Sequence, residues 1–86
     1  MFSGSQRRVT LRCKNSLAGV VIDRFGESTA FTRYNDERFD ICVDVAVSPL
    51  FFGWVASFGN EIEIVSPDEV KSEFVQSLKN ILEIYA

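Results

Sequence analysis

Apolar and polar residues alternate most regularly between Phe39 and Val47, where Phe39, Ile41, Val43, Val45 and Val47 share one face and Asp40, Cys42, Asp44 and Ala46 the other. A period of two is that of a strand with one buried face. Val9 to Lys14 alternates in the same way and predicts a first strand. Between the two, Leu17, Val20, Val21 and Phe25 recur at three- and four-residue spacing, which predicts a helix with Asn15 or Ser16 as its cap and Gly26 as its stop. Thr29 to Tyr34 is rich in β-branched and aromatic residues. The turn chemistry of Asn35-Asp36 joins that run to the strong strand as a hairpin.

The second half starts with Ser48-Pro49, a cap followed by a residue suited to the first helical position, and predicts a helix from Pro49 to Phe58 closed by Gly59. Glu61 to Val65 predicts a fourth strand with Ile62 and Ile64 inward. Ser66 and Glu69 have the spacing of a capping box, and a last helix follows with Val70, Phe74, Leu78, Ile81 and Tyr85 on one stripe. Residues 1–6 read as a linker or a cut end, and residues 7–86 as a single domain. The order strand, helix, strand, strand, helix, strand predicts an α+β, ferredoxin-like two-layer sandwich. Its antiparallel sheet should have order 4-1-3-2, both repeat helices should lie on one face, and the last helix is an addition.

Composition narrows the chemistry. Eighty-six residues, 47% hydrophobic with eight phenylalanines, suffice for one core and leave no room for a second domain. Histidine is absent, so imidazole-dependent catalysis and histidine-ligated zinc are excluded. Net charge is −3, but residues 1–43 carry seven Lys/Arg against five Asp/Glu and residues 44–86 two against seven. Such a balance argues against independent DNA binding, which calls for a basic stripe. Cys13 and Cys42 sit in strand-like surroundings without CxxC spacing, and read as reduced core or near-core thiols. No apolar run approaches a membrane span and no signal peptide is recognisable, so a cytoplasmic chain without a membrane partner is expected.

In the expected topology the outward Thr10, Arg12 and Lys14 of the central strand lie beside Asp40 and Asp44 on one side and Glu61 and Glu63 on the other. Such pairs set register and solubility; alternatively the basic residues engage an anionic ligand. An RNA-binding sheet would need outward aromatics on its central strands, and these positions are charged or small. Acylphosphatases share the fold order, but Lys14-Asn15-Ser16-Leu17-Ala18-Gly19 is a poor phosphate cradle. The carboxylates gather into neither a catalytic pair nor a cation loop, so no enzyme activity, cofactor or metal is expected. In the second helix, Leu50, Phe51, Phe52, Trp54, Val55 and Phe58 cover an arc of about 200°, wider than the ~100° that seats a helix on a sheet. Leu50, Phe52 and Trp54 are therefore candidates for an interface, packing against the last helix being the alternative.

The run from Phe39 to Pro67, above all Phe52-Gly53-Trp54 through Phe58-Gly59 to Ser66-Pro67, resembles the C-terminal extension (WCX) domain of bacterial WYL-domain transcriptional regulators. The strand Val9 to Cys13 and the helix Ala18 to Gly26 match the same module, so the resemblance runs from about residue 8 onward.

The resemblance implies a fragment of a regulator whose other parts, a DNA-binding helix-turn-helix and a WYL barrel, are its partners, with DNA bound only through the former. It implies a non-catalytic role in dimerisation, as a homodimer in the parent protein, and in sensing an effector such as a nucleotide or nucleic acid. Arg7, Arg8, Arg12 and Lys14 are the candidates for anionic effector contact. The competing reading is a free-standing small-molecule-binding module of the amino-acid-sensing type.

Overall fold

The computed structural model describes residues 5–86. Strand β1 (Ser5–Lys14) leads through a 3-10 turn (Asn15–Leu17) into α1 (Ala18–Phe25), and β2 (Thr32–Arg33) precedes β3 (Arg38–Val47). Helix α2 (Pro49–Ala56), a second 3-10 turn (Gly59–Glu61), β4 (Ile62–Ser66) and α3 (Asp68–Tyr85) complete the chain. The architecture is mixed α+β, with a four-stranded antiparallel sheet and three helices. The sheet order is β2-β3-β1-β4, a row that reads β4-β1-β3-β2 from its other edge.

The two long strands pair over ten consecutive residues, from Ser5 opposite Val47 to Lys14 opposite Arg38. On β4 the register passes from Leu11 opposite Ile64 to Thr10 opposite Ser66, an irregularity that leaves Val65 without a partner on β1. Alternation places Val9, Leu11, Cys13, Ile41, Val43, Val45, Ile62 and Ile64 on one buried face. Val21 of α1, Phe51, Phe52 and Val55 of α2, and Val70 of α3 cover them, so the helices form a second layer on that face.

Several boundaries differ from those expected. β1 includes Ser5 and Gln6, the last two residues of the stretch read as a linker, whereas residues 1–4 lie outside the described residues. Neither Asn15 nor Ser16 caps α1; Leu17 takes that position, and the Asn15 Nδ2 group donates to the Asp36 carbonyl at 2.9 Å. Asn15 thus ties the end of β1 to the β2–β3 turn, where Asn35 Oδ1 accepts from the backbone N–H groups of Glu37 and Arg38 at 2.8 Å. The hairpin arm shrinks to Thr32–Arg33 because only those two residues reach the register of Asp40 and Phe39.

Ser48 caps α2 as expected, its Oγ accepting from Phe51 N at 3.4 Å, but the helix ends at Ala56 rather than Phe58. Gly59 adopts φ 62°, a left-handed conformation open to glycine at little cost. The Ser66–Glu69 capping box does not form. Pro67, joined to Ser66 by a cis bond, is the cap residue, and its carbonyl accepts from Val70 and Lys71 at 3.1 Å.

Phe51, only 2% exposed, is the largest of the fully buried side chains. Phe51→Ala should lower unfolding free energy by about 3–5 kcal/mol in urea titrations. Cys13 is fully buried, and burial pushes its thiol up from the ordinary value of 9.0 to about 11. The folded chain therefore keeps a proton that the unfolded chain sheds first, and stability from this group falls as pH rises from 9.0 to about 11. Denaturant titrations across that window should lose this component of the slope in Cys13→Ala.

Candidate functional site

The outer sheet face carries most of the chain's organised charge, and the strand period decides which basic residues reach it. Arg8, Thr10, Arg12 and Lys14 alternate with the buried Val9, Leu11 and Cys13, and so point outward. Arg7 has the opposite parity. It lies on the helix side, where its guanidinium grips both carboxylate oxygens of Glu73 on α3 at 3.0 and 3.1 Å. The four candidate effector contacts are thus not one cluster: three share the open face and Arg7 ties the sheet to α3.

On the open face the acids of β3 claim two of the three remaining cations. Arg12 makes a bidentate pair with Asp40 at 2.8 and 3.1 Å, and its guanidinium stacks 3.5 Å from the centre of the Tyr34 ring. That bond and the nearby negative charge raise the Arg12 pKa further. Arg8 lies 3.3 Å from Asp44 and donates to the Cys42 sulfur at 3.6 Å. Cys42 is exposed, so of the two thiols expected in or near the core only Cys13 is buried. Lys14 stands opposite Arg38, and neither is within ion-pair distance of a carboxylate among the described residues. A cleft of about 390 Å³ opens here, lined by Arg8, Thr10, Ala30, Thr32, Asp40 and Cys42.

The three interface candidates on α2 also separate. Phe52 is only 9% exposed and packs on Phe74 of α3 with ring centres 5.5 Å apart. Trp54 turns to the other flank, edge-on to Phe25 at 5.6 Å and to Phe58 at 5.2 Å, with Arg24 over its ring. Leu50 alone remains open, at 85% exposure. The wide apolar arc of α2 is therefore filled from both sides by α3 and α1.

Exposed apolar surface is concentrated on α3 instead. Val70 is buried and Phe74 half-buried, but Val75, Leu78, Ile81, Leu82, Ile84 and Tyr85 are all exposed. Leu78 and Ile81 border a small cavity against Pro49, Phe52 and Ala56, while Val75 lies on a different side and faces the groove under β4. The single stripe Val70, Phe74, Leu78, Ile81, Tyr85 concealed this, because Val75, Leu82 and Ile84 fall outside it. Tyr34 was likewise missed. Its position just before the turn gives no sign that it lies under Arg12.

A family model described as the WCX domain matches residues 5–82. No curated protein and no solved structure matches the chain.

Because Phe52 is buried and Leu50 is not, the two should respond differently to a polar replacement. Phe52→Ser should lower the thermal midpoint by several degrees, whereas Leu50→Ser should leave it within about a degree. Differential scanning calorimetry of both variants checks the assignment.

Proposed function

The chain belongs to the WCX domain family, and we propose that it works as a non-catalytic module through which a WYL-type transcriptional regulator dimerises and senses its effector. At family level it is a regulatory domain of such regulators, associated with a WYL-domain parent chain. We read its sheet and the first two helices as a ferredoxin-like unit, with α3 as an added arm.

The observation that carries the proposal is the apolar surface that α3 leaves exposed. Six large apolar side chains on one helix, from Val75 to Tyr85, are more than an isolated soluble domain ordinarily leaves in water, and such a patch marks a docking surface. The same helix holds Arg7 through Glu73, so its position is coupled to the central strand.

For the anionic effector, the open sheet face offers Lys14 directly, whereas Arg8 and Arg12 would have to exchange Asp44 and Asp40 for a ligand oxygen. Arg38, opposite Lys14, joins the set. Arg7 drops out of it, since it faces the helix layer. DNA would be contacted by the helix-turn-helix of the parent regulator and not by this module.

The test is a chimera. Fused in place of the native extension of a WYL regulator, the chain should restore effector-dependent transcription of a reporter, and Lys14→Glu should weaken the response. A folded chimera that binds its operator but no longer responds to effector would overturn the proposal.

A further inference from the structure

A small-molecule site is ordinarily concave and mostly apolar, with a few polar groups that fix the orientation of what enters. The groove between β4 and α3 has that make-up, and holds about 350 Å³. Its floor is Ile62 and Ile64, which stay in the core and lend the groove only their outermost surface. Its wall is the half-buried Phe74 and the exposed Val75 of α3. The apolar surface left open here stands over a core that is already filled, so it suits a guest and not a missing part of the fold.

Three polar residues also line the groove, and only one of them has an unanswered charge. Glu63 has the parity of the open sheet face and stands opposite Arg12, so its charge is met there. Asn60 is neutral, and its carbonyl accepts from Arg38 at 3.4 Å. Lys71 is exposed, and no carboxylate lies within ion-pair distance of it among the described residues. A lysine so placed lends its carbon stem to the apolar wall and keeps its ammonium at the rim.

We propose that this groove binds a medium-chain monocarboxylate, with the acyl chain against Ile62, Ile64, Phe74 and Val75 and the carboxylate paired with Lys71. Volume sets the chain. The cavity lies at the small end of the range that holds drug-sized ligands, which fits an acyl chain of about eight carbons and is too short for a long-chain fatty acid. Charge sets the head group. One lysine answers one negative charge, and Asp68 and Glu69 in the first turn of α3 disfavour a second, so a carboxylate fits better than a doubly charged phosphate. An apolar cation would meet the ammonium of Lys71, and a neutral hydrocarbon would leave that ammonium without a partner.

The site goes beyond the dimerising role and does not depend on it. It lies on the Val75 side of α3, whereas Leu78 and Ile81 border the cavity against α2. It is also separate from the outward face that carries Lys14.

The experiment is a titration of the full chain with butanoate, hexanoate and octanoate, each below its micelle concentration, followed residue by residue in heteronuclear NMR spectra. Saturable shifts are expected at the amides of Ile62, Ile64, Phe74 and Val75, with a Kd for octanoate of about 1 mM or below. Affinity should rise about fourfold for each added methylene. Octylammonium, the same chain with the opposite charge, should bind at least about fivefold more weakly than octanoate. Lys71→Glu should reverse that preference with an unchanged far-UV spectrum. Lys79→Ala, on the same side of α3 but outside the groove, should leave octanoate affinity within about twofold. No saturable shift in the groove up to about 10 mM octanoate would overturn the proposal. Equal binding of octanoate and octylammonium, or a preference that Lys71→Glu leaves unchanged, would overturn it as well, since the groove would then be taking any amphiphile without reading its charge.

Discussion

All three helices depend on one apolar sheet face, and that face exists because β1 and β3 pair without interruption over ten residues. A slip of one residue between them would turn Val9, Leu11 and Cys13 outward against Ile41, Val43 and Val45 inward. The penalty is raised on the opposite face, where the same slip would break the Arg12–Asp40 and Arg8–Asp44 pairs. Register is thus held from both sides, by burial within and by charge without. The acids of β3 therefore serve the fold first, and Arg8 and Arg12 are less available to a ligand than their outward position suggests.

The strands were legible because a period of two over nine residues admits no helical alternative, as at Phe39 to Val47. Helix ends were less so. Asn15 and Ser66 are good capping residues by type, yet each is drawn into another task, Asn15 into bonding the β2–β3 turn and Ser66 into pairing with Thr10 on β1. A side chain able to cap is also able to bond a neighbouring backbone group, and tertiary position decides between the two. For the site, parity along β1 was enough to separate Arg7 from Arg8 and Arg12. The stacking of Arg12 on Tyr34 was not readable, because a residue outside the paired part of a hairpin has no fixed parity.

The apolar surplus that the sequence suggests on α2 is packed away in the structure apart from Leu50, and the exposed apolar side chains gather on α3. Eight residues of α2 carry more hydrophobic area than a sheet needs, but a short helix lying between two others has three faces to fill. Phe52 meets Phe74 and Trp54 meets Phe25. The long α3 has the reverse problem. Its 18 residues span about 27 Å at 1.5 Å per residue, whereas the five-residue strand it follows spans about 17 Å, so its last turns outrun β4. Ile84 and Tyr85 are left at 78% and 82% exposure as a result.

The brevity of β2 bears on more than the hairpin. Two paired residues, Thr32 and Arg33, with Arg33 turned back onto Asp36, offer too little ladder for an incoming strand to grip. Among the described residues the sheet consequently keeps at most one edge, β4, long enough to receive a further strand. A molecule with two serviceable edges can add copies indefinitely and grow a fibre, whereas one with a single serviceable edge stops at a pair. Lengthening β2 by a few residues would give the sheet a second such edge without touching its core.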